Sequence, residues 1–186
     1  FANARTDSTF TLARTHAVTE AAILDTGMAC TFLRDNFYSE MIGSLADGNG
    51  TIKGPAGNGR VACVAQADVA EAAACVLRDL VAGGERHLGQ TYTLTGAEAL
   101  TLHEVAEQVQ QASGRPCRYR EESIEEGYAS RRAAWPDTPD WELDAWVSTY
   151  TAIANGELAE VSPDLPRLIG RAPRTLLDVL PRRIEA

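Results

Sequence analysis

Two polar side chains in ARTHAVTEAAI stand one helical turn apart. His16 and Glu20 are at i and i+4, so on a helix they share a face. A histidine beside a carboxylate is an acid–base pair, with a proton that moves near neutral pH. The competing reading is a surface helical pair. A second group is Asn36-Phe37-Tyr38, directly after the apolar run MACTFLR, with Met41 one turn further on. In open α/β sheets, ligands bind outside the carboxyl ends of the strands. An amide and two aromatics placed there would line a planar ligand; packed inward, the rings would instead be core.

A third stretch, GPAGNGRVACVAQADVAEAAACVL (54–77), looks like half of a nucleotide-binding motif. A dinucleotide fingerprint needs strand, then glycines, then helix, so that the pyrophosphate meets the helix N-terminus. Here Gly54, Gly57 and Gly59 precede the apolar run. A turn at Asn58-Gly59 is the simpler reading. His87 and His103 have no partner at metal-ligand spacing, and no metal site is expected. The Arg131-Arg132 pair reads as a solvated face, and Trp135, Trp141 and Trp146 as packing.

These residues need elements to position them. Leu12, Ala13, Ala17, Ala21 and Leu24 give a helical stripe over 9–26, with Asp7, Ser8 and Thr9 as candidate caps and Gly27 as the stop. Residues 28–34 read as a strand buried on both faces, as in a parallel sheet. A short helix follows in 35–45, then turns around Thr51-Ile52-Lys53, then a strand at 61–66. Asp68 should cap a helix to about Leu80, with Ala70, Ala73, Ala74 and Leu77 on one side. A strand at 91–96 precedes a helix from Thr101 to Ser113, where Glu104 completes a capping box and Gly114 ends the helix. A strand at 117–123, a helix from Ser123 to about Arg132, a helix over 141–155 and a last helix beginning at Thr175 complete the chain. The alternation is that of an α/β fold.

The 186 residues carry a net charge of -9, with 45% hydrophobic and 23% charged residues. That acidity disfavours nucleic acid or an anionic membrane as partner. Four cysteines without C-x-x-C spacing read as small apolar residues rather than a disulfide framework, which points to the cytoplasm. No run of apolar residues is long enough for a transmembrane helix, and FANARTDSTF has no signal-peptide core.

Seven pieces in order carry a resemblance. They are HAVTE (16–20), TFLRDNFYSE (31–40), GPAGNGR (54–60), ADVAEAA (67–73), YTLTG (92–96), HEVA to SGRP (103–116) and LIGRAPRTL (168–176). Together they resemble the C-terminal two-thirds of an NmrA-like protein, an atypical short-chain dehydrogenase/reductase, of the NAD(P)H:quinone oxidoreductase type. The resemblance implies the C-terminal part of a Rossmann-type parallel sheet with a small C-terminal α/β substrate subdomain. Residues 1–80 would be the remainder of the Rossmann core and 81–186 mainly the subdomain. The glycine-rich phosphate loop would precede Phe1, so an incomplete reading frame or a truncated product without cofactor binding is an expectation. The strand at 28–34 would then show an open edge.

His16 and Glu20 fall where the superfamily has its Tyr-x-x-x-Lys pair, with the spacing kept and the chemistry changed. The resemblance implies NADP or NAD as cofactor, with Asn36 and Phe37 beside it. It implies direct hydride transfer to a quinone-like acceptor bordered by Phe37, Tyr38 and Met41. The alternative within the family is a redox-sensing regulator that binds the dinucleotide without turnover.

Overall fold

The computed structural model describes residues 1–181. Two parallel strand pairs organise it. Strand β1 (Phe32–Asp35) pairs with β4 (Thr91–Leu94), Phe32 opposite Thr91. Strand β2 (Thr51–Gly54) pairs with β6 (Arg118–Glu121), Ile52 opposite Tyr119. A third pair, β3 (Arg60–Val61) with β5 (Leu100–Thr101), is antiparallel. The helices are α1 (Thr11–Asp25), α2 (Ser39–Gly43), α3 (Gln66–Val81), α4 (Leu102–Ser113), α5 (Ile124–Ala134), α6 (Asp140–Ala154), α7 (Asp164–Ile169) and α8 (Leu176–Val179). Parallel pairs need crossovers, which α2, α3, α4 and the intervening segments supply. The predicted final helix is the short α8; Arg182 and Arg183 of the predicted tail lie outside the described residues.

The larger core gathers Ile42, Ile52, Val61, Leu102, Val105, Ile153 and Leu158 around β2 and α6. The smaller one, Val64, Ala72, Leu94 and Leu165, lies between α3, α7 and β4. The helix ends follow local chemistry. Thr101 with Glu104 and Ser123 with Glu126 form complete capping boxes, and Gly114 closes α4 in the left-handed region.

Several expectations are corrected. Asp7, Ser8 and Thr9 do not cap α1, whose N-cap is Phe10; Ser8 and Thr9 turn instead to Glu157. Residues 51–53 are not turns: the backbone there finds a parallel partner in β6, a pairing 67 residues away that no local pattern reveals. Asp68 is not an N-cap. It sits in the first turn of α3, fully buried, bound to Arg171 and Arg174. The buried face of α3 is Asp68, Ala72 and Val76, while Leu77 on the predicted face is 61% exposed. β1 is half-buried rather than buried on both faces, and the stripe of α1 leaves Leu12 and Leu24 exposed. Within 61–66 only Val61 is in a strand, with Val64 bridging Tyr38.

The glycines act as packing surfaces. A Cβ at Gly54 would lie inside the Tyr150 ring, and one at Gly59 would strike the Ile153 carbonyl at 2.1 Å. The turn runs from Ala56 to Gly59, centred on Gly57-Asn58, with Gly57 at φ +52°. It is one residue earlier than predicted, because the positive φ falls on Gly57.

Candidate active site

β1 ends at Asp35, and the chain turns sharply through Asn36, Phe37 and Tyr38 into α2. Asn36 fixes the turn. Its backbone N–H donates to the Leu94 carbonyl, its side-chain amide donates to the Leu158 carbonyl at 3.0 Å, and its Oδ1 accepts from the Phe37 N–H at 2.7 Å. Asn36 is buried, so these bonds replace water that the amide has lost. The Phe37 carbonyl accepts from Val64, and the Ser39 N–H donates to the Val64 carbonyl. The turn is therefore held from both sides.

Phe37 is half-buried against the larger core and Tyr38 against the smaller. A hydrogen bond to Asp35, then burial, pushes the Tyr38 phenol up to about 12. Tyr38 therefore holds its proton at neutral pH. Met41 presents its thioether to solvent, 51% exposed.

In the other predicted pair, Glu20 is engaged by a third residue. Glu20 turns away from acid–base work with His16 and forms a two-pronged ion pair with Arg34 of β1, with Arg34 Nε donating at 2.9 Å. The bond to Glu20 raises the Arg34 pKa. His16 stacks on the Phe1 ring, centroids 6.4 Å apart, and Phe1 leans on Phe10 at 4.7 Å. Burial lowers the His16 pKa against the pull of Asp35 and Glu20. His16 is thus a neutral imidazole at pH 7.

A polar cavity of about 190 Å³ opens beside this turn, lined by Arg34, Asn36, Thr93 and Thr95 at the carboxyl ends of β1 and β4 and closed by Asn3 and Glu157. Glu157 accepts from Ser8 Oγ at 2.7 Å, the Thr9 N–H at 2.9 Å and Asn3 Nδ2 at 2.9 Å. Burial would raise the Glu157 carboxyl, but the bonds from Thr9 and Ser8 outweigh it and hold it below its usual range. Asn3 is in the left-handed region at φ +60°, the one described non-glycine residue there. Neither Asn3 nor Glu157 was singled out from sequence. They meet across 154 residues, and an isolated Asn and Glu carry no local signal.

The remaining candidates are structural. His87 is buried and bonded to Tyr92, and His103 packs edge-on against Tyr119. Arg131 is not on a solvated face: it is buried, paired with Glu122 at 2.9 Å, and lies over the Tyr150 ring. Among the described residues no group of three His, Cys, Asp or Glu is placed to hold a metal, and no helix is long and apolar enough to cross a membrane.

A polar-lined cavity at the carboxyl ends of parallel strands is the place where α/β reductases bind their nucleotide. No family model matches the chain. Similar proteins nevertheless include reductases. It is 32% identical over 170 residues to Quinone oxidoreductase 2 of Escherichia coli (strain K12), covering 90% of this chain and 57% of that protein. The structure of the E. coli NADPH-dependent quinone oxidoreductase QOR2 in complex with NADPH matches with a TM-score of 0.81 at 31% identity, covering 93% of this chain and 60% of that one. The Citrobacter sp. triphenylmethane reductase complexed with NADP(H) matches with a TM-score of 0.77 at 31% identity, again over 93% of this chain and 60% of that one. The chain spans under two thirds of the length of each of these relatives. Its α/β fold with parallel strand pairs resembles these NAD(P)-binding reductases.

The polar cavity carries donors and acceptors from Arg34, Asn36, Thr93 and Thr95. Phe37 and Met41 offer apolar surface for a ring, and the polar cavity offers an amide-sized space with donors and acceptors. Among the described residues, the backbone N–H groups of Asn36, Phe37 and Ser39 are engaged within the chain, and Gly54 and Gly59 are closed by Tyr150 and Ile153.

Proposed function

We propose that these residues form the nicotinamide and acceptor end of an NAD(P)H-dependent oxidoreductase that transfers hydride to a quinone-like or other small acceptor. The observation that carries this reading is the likeness to the NADPH complex of QOR2, at 31% identity and a TM-score of 0.81. The bound dinucleotide would supply the hydride from its dihydronicotinamide ring.

The chain's own residues position and shield. Asn36 spends its amide on the Leu158 carbonyl and the Phe37 N–H, so the turn that carries Phe37, Tyr38 and Met41 does not move when a ring stacks on it. Phe37 and Met41 would border that ring on its apolar side. Glu20 acts as a positioning residue that holds the Arg34 guanidinium at the cavity wall. His16 stacks on Phe1 and would approach an acceptor only from outside the cavity lining. The proton that converts quinone plus hydride to hydroquinone comes from water. Tyr38 keeps its proton at neutral pH, its phenol being pushed up to about 12 by the bond to Asp35.

The test is oxidation of NADPH and of NADH by the protein carrying these residues, across a panel of benzo- and naphthoquinones. Saturable, quinone-dependent loss of the reduced nicotinamide is expected. No turnover with any quinone would remove the enzyme reading.

A further inference from the structure

Helices α5 and α6 pack together as a hairpin joined by residues 135–139. The joint is braced. Arg132, in the last turn of α5, donates to the Thr138 carbonyl and pairs with Asp140 at the start of α6, and the Trp135 N–H donates to the Arg131 carbonyl at 2.8 Å. Packing, the role expected of all three tryptophans, describes only Trp146, against which the Trp135 ring lies edge-on at 5.2 Å. Trp135 itself is 55% exposed, and Trp141, in the first turn of α6, is 64% exposed. Ala133, Ala134, Pro136 and Pro139 are exposed beside them. Two indoles and four smaller apolar residues in water, on a segment held in place by its own hydrogen bonds, have the character of an interaction surface.

The charge of the tip gives the sign of its partner. Residues 132–144 carry Asp137, Asp140, Glu142 and Asp144 against a single cation, Arg132. Arg132 is already committed to Asp140 and the Thr138 carbonyl. Asp137 is exposed and has no hydrogen bond or ion pair among the described residues. The chain's net charge of -9 adds a negative field of longer range. An indole face also attracts a guanidinium or ammonium group. Rings and carboxylates therefore ask for the same thing: a cation carried on a partly apolar stem. An anionic bilayer and a second copy of this acidic chain would both meet repulsion here.

We propose that the tip of the α5–α6 hairpin is a docking surface for a cationic segment of another protein, one that sets arginine or lysine beside aliphatic side chains. The cation stacks on Trp141 and pairs with Asp137, while the aliphatic neighbours lie on Trp135 and Pro136. The surface shares no residue with the turn at 36–41 or with the polar cavity beside it, and it does not depend on the reductase reading.

The test is a titration of the fluorescein-labelled peptide Arg-Leu-Arg-Pro-Leu-Arg with the 186-residue chain, followed by anisotropy. Salt is set at about 0.15 M, where exposed charges more than about 8 Å apart are largely screened. One comparison peptide has glutamate for each arginine, and another has glycine for each leucine and proline. The expected result is saturable binding of the first peptide, weakened about tenfold in Trp141→Ala and about threefold in Asp137→Asn; tenfold corresponds to about 1.4 kcal/mol. The glutamate peptide should not bind, and the glycine peptide should bind at least about fivefold more weakly than the first. Asp25→Asn, at the exposed end of α1, removes the same unit of charge and should leave the affinity unchanged. Circular dichroism confirms that each variant folds. Equal losses in Asp25→Asn and Asp137→Asn, an unchanged affinity in Trp141→Ala, equal binding of the arginine and glutamate peptides, or no saturable binding would each overturn the proposal. So would a dimer in sedimentation equilibrium that Trp141→Ala dissolves, or a blue shift of tryptophan emission on phosphatidylcholine vesicles that Trp141→Ala removes, since these assign the tip to a second copy or to a lipid surface.

Discussion

Arg131→Leu is the substitution whose effect the structure defines most closely. Arg131 NH1 donates to Glu122 Oε2 at 2.9 Å and to the Gly127 carbonyl at 3.0 Å. NH2 donates to the Lys53 carbonyl at 2.9 Å, and the guanidinium lies 4.8 Å from the Tyr150 ring centroid. The Glu122 side chain is 1% exposed and that of Arg131 10%. Removing one partner of a buried pair costs about 3–5 kcal/mol, because the other charge stays buried. Glu122 would retain Ser130 and the largely exposed Arg120, which places the loss at the lower end. The cation–π contact adds about 1 kcal/mol at most. We expect Arg131→Leu to lose about 3 kcal/mol in urea denaturation, against a typical domain stability of about 5–15 kcal/mol. Arg131→Lys should fall between, since a point charge cannot serve Glu122, Gly127 and Lys53 together. Glu122→Leu added to Arg131→Leu should recover about half of the loss or more, because no charge is then left stranded. A single variant within about 0.5 kcal/mol of the wild type, or a double variant worse than the sum of the singles, would refute the reasoning.

Three further outcomes are expected. Gly59→Ala should destabilise by about 2–3 kcal/mol because its Cβ would meet backbone at Ile153, whereas Gly48→Ala, with open space around it, should stay within about 0.5 kcal/mol; thermal melts of both decide this. Spectrophotometric titration should show the Tyr38 phenol ionising at about 12, and Asp35→Asn should bring that component toward 10 while leaving the other tyrosines in place. With its folded pKa raised, Tyr38 stabilises fully below about 10 and that contribution is lost as pH climbs through about 12; an unchanged tyrosinate curve in Asp35→Asn would contradict the assignment. Glu157 has the opposite sign: its lowered carboxyl stabilises above the ordinary carboxylate range and ceases to do so as pH falls through its folded value. Glu157→Gln should therefore flatten the acid limb of the stability–pH curve, and an unaltered limb would show that the Ser8–Thr9 clamp carries no such weight.

What the sequence revealed depended on how local the cause was. The capping box at Thr101, the helix start at Ser123, the stop at Gly114 and most of the strand at 91–96 were legible because a few neighbouring residues decide them. The strand at Thr51–Gly54 was not, since its partner lies at 118–121. Asp68 looked like a cap because aspartate favours caps; its burial is decided by two arginines a hundred residues away. Arg131 looked solvated for the same reason, its partners being Glu122 and the Lys53 carbonyl. At the candidate site, Asn36, Phe37 and Tyr38 could be named from their place after a strand. The spacing of His16 and Glu20 was also real, but spacing cannot show that Arg34 draws Glu20 away. The cavity walls at Asn3 and Glu157 come from opposite ends of the chain and had no signature.

The central claim is that these residues meet the nicotinamide end of a dinucleotide. Saturation-transfer difference NMR of NADPH with the 186-residue chain tests it directly, because it maps which ligand protons touch protein even at weak affinity. The account predicts strong transfer to the nicotinamide ring protons, little to the adenine protons, and loss of the nicotinamide signal in Phe37→Ala. Transfer to adenine alone, or none to either ring, would contradict it.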